Sequence, residues 1–173
     1  MILPTLVVSG CFPQARLRAD WEALRPTHAV SLAGRTDGAD GAWACGFLAQ
    51  HTPVHVTVPC DDLDEPLDGY RPPQASDIDL LFGVGQQLAP TDRLLVHCHA
   101  GLSRSPAAAI ALGVAYLRAH TPLTLDHAQR VALWVRRAQP LAMPNARFLS
   151  LLLDRLDARE RAGLEPAFAC FQG

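Results

Sequence analysis

Lysine is absent from this sequence of 173 residues: all fifteen basic positions are arginine. Against a background rich in Ala, Leu and Pro, that absence reads as a compositional bias of the genome. Long apolar runs are missing too. No stretch reaches the roughly 18 consecutive apolar residues that a membrane-spanning helix requires. The opening MILPTLVVSGCF has no basic lead-in and carries an early proline, so it does not read as a signal peptide. Cysteine pairs are lacking as well. Cys11, Cys45, Cys60, Cys98 and Cys170 form an odd, scattered set without C-x-x-C spacing, which argues against a disulfide framework and a zinc site. His28, His51, His55, His120 and His127 show no ligand spacing, so neither metal nor cofactor is expected. The net charge of −2 supplies no broad field for nucleic acid or an anionic membrane. A reducing, cytoplasmic setting suits such a chain.

What is present is an ordinary globular balance, 49% apolar and 18% charged, which leaves no case for disorder. The length suits one domain over residues 1–173, expected to be monomeric. Short β-like runs (TLVVS from Thr5, HAVSLA from His28, VHVTV from Val54, and Arg93 to His97) alternate with helical patterns. Helices are predicted from Gln14 to Leu24, around Trp43 and Phe47, from Ser76 as N-cap, from Ser105-Pro106, over Leu125 to Arg137, and after Asn145 as cap. Residues 34–41 read as a loop, and Cys60 to Pro73 as a long acidic one. The alternation predicts an α/β three-layer sandwich with a central, mainly parallel sheet of four or five strands between helices.

The chemistry concentrates in Leu94-Leu95-Val96-His97-Cys98-His99-Ala100-Gly101-Leu102-Ser103-Arg104-Ser105. An apolar strand runs into a short loop and then a helix N-terminus, where successive amides form an anion nest reinforced by the helix dipole. Gly101 permits the tight backbone. Cys98 sits at the strand end, where such a field favours thiolate over thiol. Arg104, six positions on, reaches back over the loop, and its planar fork matches two phosphoryl oxygens. Ser105 brings a hydroxyl near the sulfur. His97 is expected to be buried and hydrogen-bonded, and His99 to line the pocket mouth.

Cys-x5-Arg followed by Ser resembles the signature of the protein tyrosine phosphatase superfamily. HCHAGLSRS is similar to its small dual-specificity branch, whose members often read HC-x-x-G-x-S-R-S. THAVSLAG is similar to that branch's early strand, and Pro144-Asn145-x-x-Phe148-Leu149 to its late helix start. The likeness covers roughly residues 25–156. It implies a phosphomonoester hydrolase working through a phosphocysteine, with His99, Ala100, Gly101, Leu102, Ser103 and Arg104 lining the phosphate site. It also implies an aspartate general acid 30 to 40 residues before the cysteine. Asp61, Asp62 and Asp64 occupy that window; the D-x-x-E-P-x-x-G run of the family is similar to Asp62–Gly69 and favours Asp62.

The expected substrate is a phosphorylated protein, phosphotyrosine with or without phosphoserine and phosphothreonine, or a small phosphomonoester. Lipid-directed relatives usually carry lysines in the loop, and this loop has none. A phosphoinositide, inositol phosphate or nucleotide substrate and a catalytically silent phosphate-binding module stay open. Cys60 is a candidate partner for a protective disulfide with Cys98, against the plainer reading of a buried thiol.

Overall fold

The computed structural model describes residues 2–171. Four strands, β1 (Thr5–Gly10), β2 (His28–Leu32), β3 (Val54–Val58) and β4 (Arg93–Cys98), form one sheet in the order β1-β4-β2-β3, with every neighbouring pair parallel. The helices are α1 (Gln14–Leu24), α2 (Gly38–His51), α3 (Ala75–Gln87), α4 (Arg104–His120), α5 (Leu125–Ala138), α6 (Ala146–Leu153) and α7 (Ala158–Phe168).

Alternate side chains of the strands enter two cores. Ala29 and Leu95 face α1 and α2, where Leu17, Ala44 and Leu48 complete a small apolar cluster. Val8, Val30, Leu94 and Val96 face the opposite layer, where α3 to α7 supply the larger core. The central strand β4 is therefore buried on both faces, which is why LLV reads as a continuous apolar run rather than an alternating one. α4 is buried along its length from Arg104 to Leu117, and this explains the unbroken AAAIALGVAYL. The result is the three-layer α/β sandwich expected from the sequence, with four strands.

Boundaries differ in four places. Residues 34–41 are not a simple loop: Arg35–Asp37 form a 3₁₀ turn and α2 begins at Gly38. The Asp37 carboxylate closes that turn by accepting the Gly34 N–H at 2.7 Å. The N-cap of α3 is Gln74, not Ser76, because Asp77 reaches back to the Gln74 N–H at 2.8 Å. α4 starts at Arg104, so Pro106 is its third residue. The helix after Asn145 ends at Leu153, and a further helix, α7, was not legible in the pattern because Gly163 and Pro166 interrupt it. An Asp157–Glu160 capping box nonetheless starts it, with reciprocal bonds of 2.8 and 3.1 Å.

Cys11, Cys45, Cys60 and Cys98 are free thiols, while the side chain of Cys170 lies outside the described set. Among the described residues no helix is long and apolar enough to cross a membrane.

All four strands point the same way, so their C-terminal ends deliver four chain segments to one edge of the sheet, where α/β folds place their ligands. The close packing of α3 on α4 depends on Gly85. A Cβ there would lie 2.7 Å from Ala115 Cβ and 2.7 Å from the Leu112 carbonyl oxygen. Gly85→Ala should lower stability by about 1–2 kcal/mol in urea unfolding, overpacking outweighing the gain in helix propensity. Gly83→Ala, with open space at its Cβ, should instead be neutral or stabilising by up to about 1 kcal/mol.

Candidate active site

β4 ends at Cys98 and α4 begins at Arg104, leaving a loop of five residues between them. Backbone contacts clamp that loop from two sides. The continuation of β1 donates Cys11 N–H to the Cys98 carbonyl at 2.9 Å and Phe12 N–H to the His99 carbonyl at 3.2 Å. Opposite, Gln139 Nε2 donates to the Gly101 carbonyl at 3.1 Å, Met143 N–H to Leu102 at 2.8 Å and Asn145 N–H to Ser103 at 3.3 Å. With these carbonyls turned outward, the amides of the loop turn in. Gly101 N–H lies 3.3 Å from Cys98 Sγ, and Ser105 Oγ lies 3.2 Å from the same sulfur.

Two glycines make the clamp possible. Gly101 has φ +80°, and a Cβ on it would fall 2.7 Å from the Ser9 carbonyl carbon. A Cβ on Gly10 would meet the Ala100 and His99 backbone at 2.8 Å. The loop thus rests directly on the end of β1.

Arg104 is 2% exposed and has five N–H donors to place. Nη1 and Nη2 grip the Asp37 carboxylate at 2.8 and 2.7 Å, and Nη1 also donates to the Cys60 carbonyl at 2.7 Å. Burial opposes the guanidinium charge, but the Asp37 carboxylate outweighs it, so the charge is held more firmly than in water. The terminal fork, expected from the sequence to meet phosphate, is therefore committed to Asp37. What remains is the side edge, Nε–H and the second proton of Nη2. Nε is buried without a partner among the described residues and lies 3.9 Å from Asp62 Oδ2.

The three candidate acids part company. Asp61 is buried; burial alone would raise its pKa, but hydrogen bonds from Thr36 N–H, Arg71 N–H and the Thr36 hydroxyl bring it below the usual carboxylate value. Those bonds fix it as an ionised brace. Asp64 faces Arg147, whose N–H it accepts at 3.3 Å. Asp62 alone reaches the loop. Its Oδ1 accepts the Ser103 hydroxyl at 2.7 Å and Asn145 Nδ2 at 3.1 Å.

His97 is fully buried, its pKa pushed down to about 4 by burial, with Nε2 2.7 Å from Ser31 Oγ. His99 stacks on Phe12 at the rim, ring centroids 5.6 Å apart. Cys60 is buried with its thiol pushed up to about 12 by burial, and it contributes its carbonyl to Arg104. Among the described residues no group of three side chains is arranged to hold a metal.

From one short stretch and one loop, sequence reasoning singled out Cys98, Arg104, Ser105 and Asp62, four side chains that lie together in the structure. It missed Asp37, which is one of seventeen acids and sits in a segment read as a loop. The available signal was indirect: a buried arginine needs a carboxylate. Asn145 was read as a helix cap, which it is, accepting Phe148 N–H at 2.9 Å. Its second bond, to Asp62, spans 83 residues and has no local signature.

Asp37→Ala leaves the Arg104 charge buried and uncompensated, and should cost about 3–5 kcal/mol in urea unfolding. Asp64→Ala, its contacts being at the surface, should cost at most about 1 kcal/mol. Equal effects from the two would remove the buried pair from its central place.

No protein-family model and no curated protein matches the sequence. Solved structures do. Human DUSP28 matches with a TM-score of 0.57 at 22% identity over 92% of this chain and 93% of its own. The Yvh1 phosphatase domain from Chaetomium thermophilum matches with a TM-score of 0.51 at 23% identity, over 85% and 87%. OH1 from the Orf virus, described as a tyrosine phosphatase with triple substrate specificity, gives 0.52 at 19% identity, over 90% and 88%. Sheet and helices are thus arranged as in those proteins, and this chain has the fold of the dual-specificity and tyrosine phosphatases.

Proposed function

We propose that this chain is a cysteine-dependent phosphomonoester hydrolase working through a phosphocysteine, with phosphotyrosine in proteins as the favoured substrate class. The observation that carries the reading is Arg104: anchored by Asp37 at the end of the Cys98 loop, it keeps its Nε–Nη2 edge uncommitted, with Nε 3.9 Å from Asp62. Two parallel N–H donors suit two phosphoryl oxygens, and the loop amides suit the third.

In the first step the Cys98 thiolate attacks phosphorus while the P–O bond to the leaving group breaks. Asp62 delivers its proton to the departing oxygen. In the second step water attacks the phosphocysteine, Asp62 takes the proton from that water, and the P–S bond breaks. The Ser105 hydroxyl and Gly101 N–H, both within 3.3 Å of Sγ, stabilise the negative sulfur as it leaves. Electrostatic stabilisation of charge building on the phosphoryl oxygens falls to Arg104 and the loop.

The rim supports an aryl ester. Phe12 is 59% exposed on one side of the loop, and Leu141 (73%) and Met143 (69%) are exposed beside the segment that clamps the other. Apolar walls of this kind suit a phenyl ring better than a polyanionic headgroup.

Purified protein should hydrolyse para-nitrophenyl phosphate without added metal, with vanadate inhibiting and Cys98→Ser abolishing turnover. A phosphotyrosine peptide should be preferred to phosphoserine and phosphoinositide. Phosphate binding by an inactive wild type under reducing conditions would leave a phosphate-binding module instead. Asp62→Asn should lower kcat by about 10²–10⁴ with substrate still bound; unchanged kcat in that variant would take the acid role from Asp62.

A further inference from the structure

One polar row crosses the α1–α2 face of the sheet and has no part in the steps above. Ser31 on β2 has its hydroxyl oxygen 2.7 Å from Nε2 of His97 on β4 and 2.7 Å from Nε2 of His55 on β3. A hydroxyl has one proton to give, so at these distances it donates to one ring and accepts from the other.

The far side of His97 shows which way the chain of donors runs. Its Nδ1 lies 3.4 Å from the Cys98 carbonyl oxygen, which can only accept. His97 is buried and neutral near pH 7, so the ring carries one proton. The arrangement that keeps lone pairs apart runs from His55 Nε2–H to Ser31 Oγ, from the Ser31 O–H to His97 Nε2, and from His97 Nδ1–H toward Cys98. The reverse chain sets the Nδ1 lone pair against the carbonyl. At 3.4 Å the last contact is a weak hydrogen bond. Its effect is orientational: a lone pair in that place would push the peptide plane of Cys98 away from the Cys11 N–H that holds it at 2.9 Å.

We propose that His55 is a positioning residue for Cys98: through Ser31 it fixes the His97 tautomer that steadies the Cys98 carbonyl and so aims Sγ. The consequence for turnover rests on the phosphatase reading; the consequence for the tautomer does not. His55 is half-buried at the sheet edge, reached through two side chains, and touches no reacting atom.

The test uses the full chain labelled with ¹⁵N-histidine, with Ser31→Ala, His55→Ala and His55→Gln beside wild type. Long-range ¹H–¹⁵N spectra should show His97 as the single Nδ1–H tautomer in wild type and as a mixture in Ser31→Ala and His55→Ala. The same two variants should lose roughly tenfold in kcat with KM unchanged, the pattern of a group acting on the transition state alone. His55→Gln, whose amide can still donate to Ser31, should restore tautomer and kcat. The proposal is overturned by an unchanged His97 tautomer in both alanine variants, or by His55→Gln behaving like His55→Ala. Should wild type prove inactive, the phosphatase reading fails separately; the spectra and the rate of Cys98 alkylation by iodoacetate then still decide the relay, slower alkylation in the alanine variants supporting it and equal rates overturning it.

Discussion

The buried pair of Arg104 and Asp37 is the constraint on which the rest of the site depends. Neither charge is tolerable at that depth alone, so each dictates where the other must be. Asp37 belongs to the turn after β2, Arg104 is the first residue of α4, and the Cys60 carbonyl that completes the grip belongs to the loop just after β3. Three segments far apart in sequence are thereby brought to a fixed separation. The guanidinium is held in one orientation, with its uncommitted Nε 3.9 Å from Asp62 Oδ2. Its orientation is set by the fold itself.

A parallel sheet makes that convergence possible. The C-terminal ends of β1, β4, β2 and β3 lie side by side, and each contributes a different kind of part. β1 offers backbone that clamps the loop, and β4 the thiol. The segment after β2 provides the carboxylate that holds the arginine, and the loop after β3 carries Asp62. The polar row from His97 through Ser31 to His55 crosses the strands beneath this edge, where a purely apolar face would have packed as well. Polar groups in such a place are satisfied only if the strands keep their register, so the row also ties register to the geometry above it.

The features legible in the sequence were local ones. Four strands and most helices declared themselves through apolar periodicity and caps, and the loop between β4 and α4 through the fixed spacing of Cys98, Gly101, Arg104 and Ser105. Asp62, which the structure sets against Ser103 of the loop, was singled out because its run resembles a family pattern. Asp37 was not: its significance comes from a partner 67 residues away, and no spacing rule links them. The same holds for His55 and Ser31, which looked like ordinary members of β-strands. The commitment of the Arg104 terminal fork to protein rather than phosphate was also invisible, since the sequence names a donor without saying what it faces. α7 was missed for a different reason: Gly163 and Pro166 weaken the periodic signal, and the capping box at Asp157 was the only cue left.

The contact between Gly10 and Gly101 has a consequence for how this site can change over generations. Main chain there meets main chain, with no side chain between that could be lengthened, shortened or swapped to adjust the fit. Adaptation by small increments is closed at both positions, since even one added carbon would displace the loop. The neighbouring positions are different: His99 and Leu102 project from the same loop, only partly buried. Divergence is thus channelled outward, toward the side chains of the rim, while the backbone contact beneath is held to a one-letter alphabet.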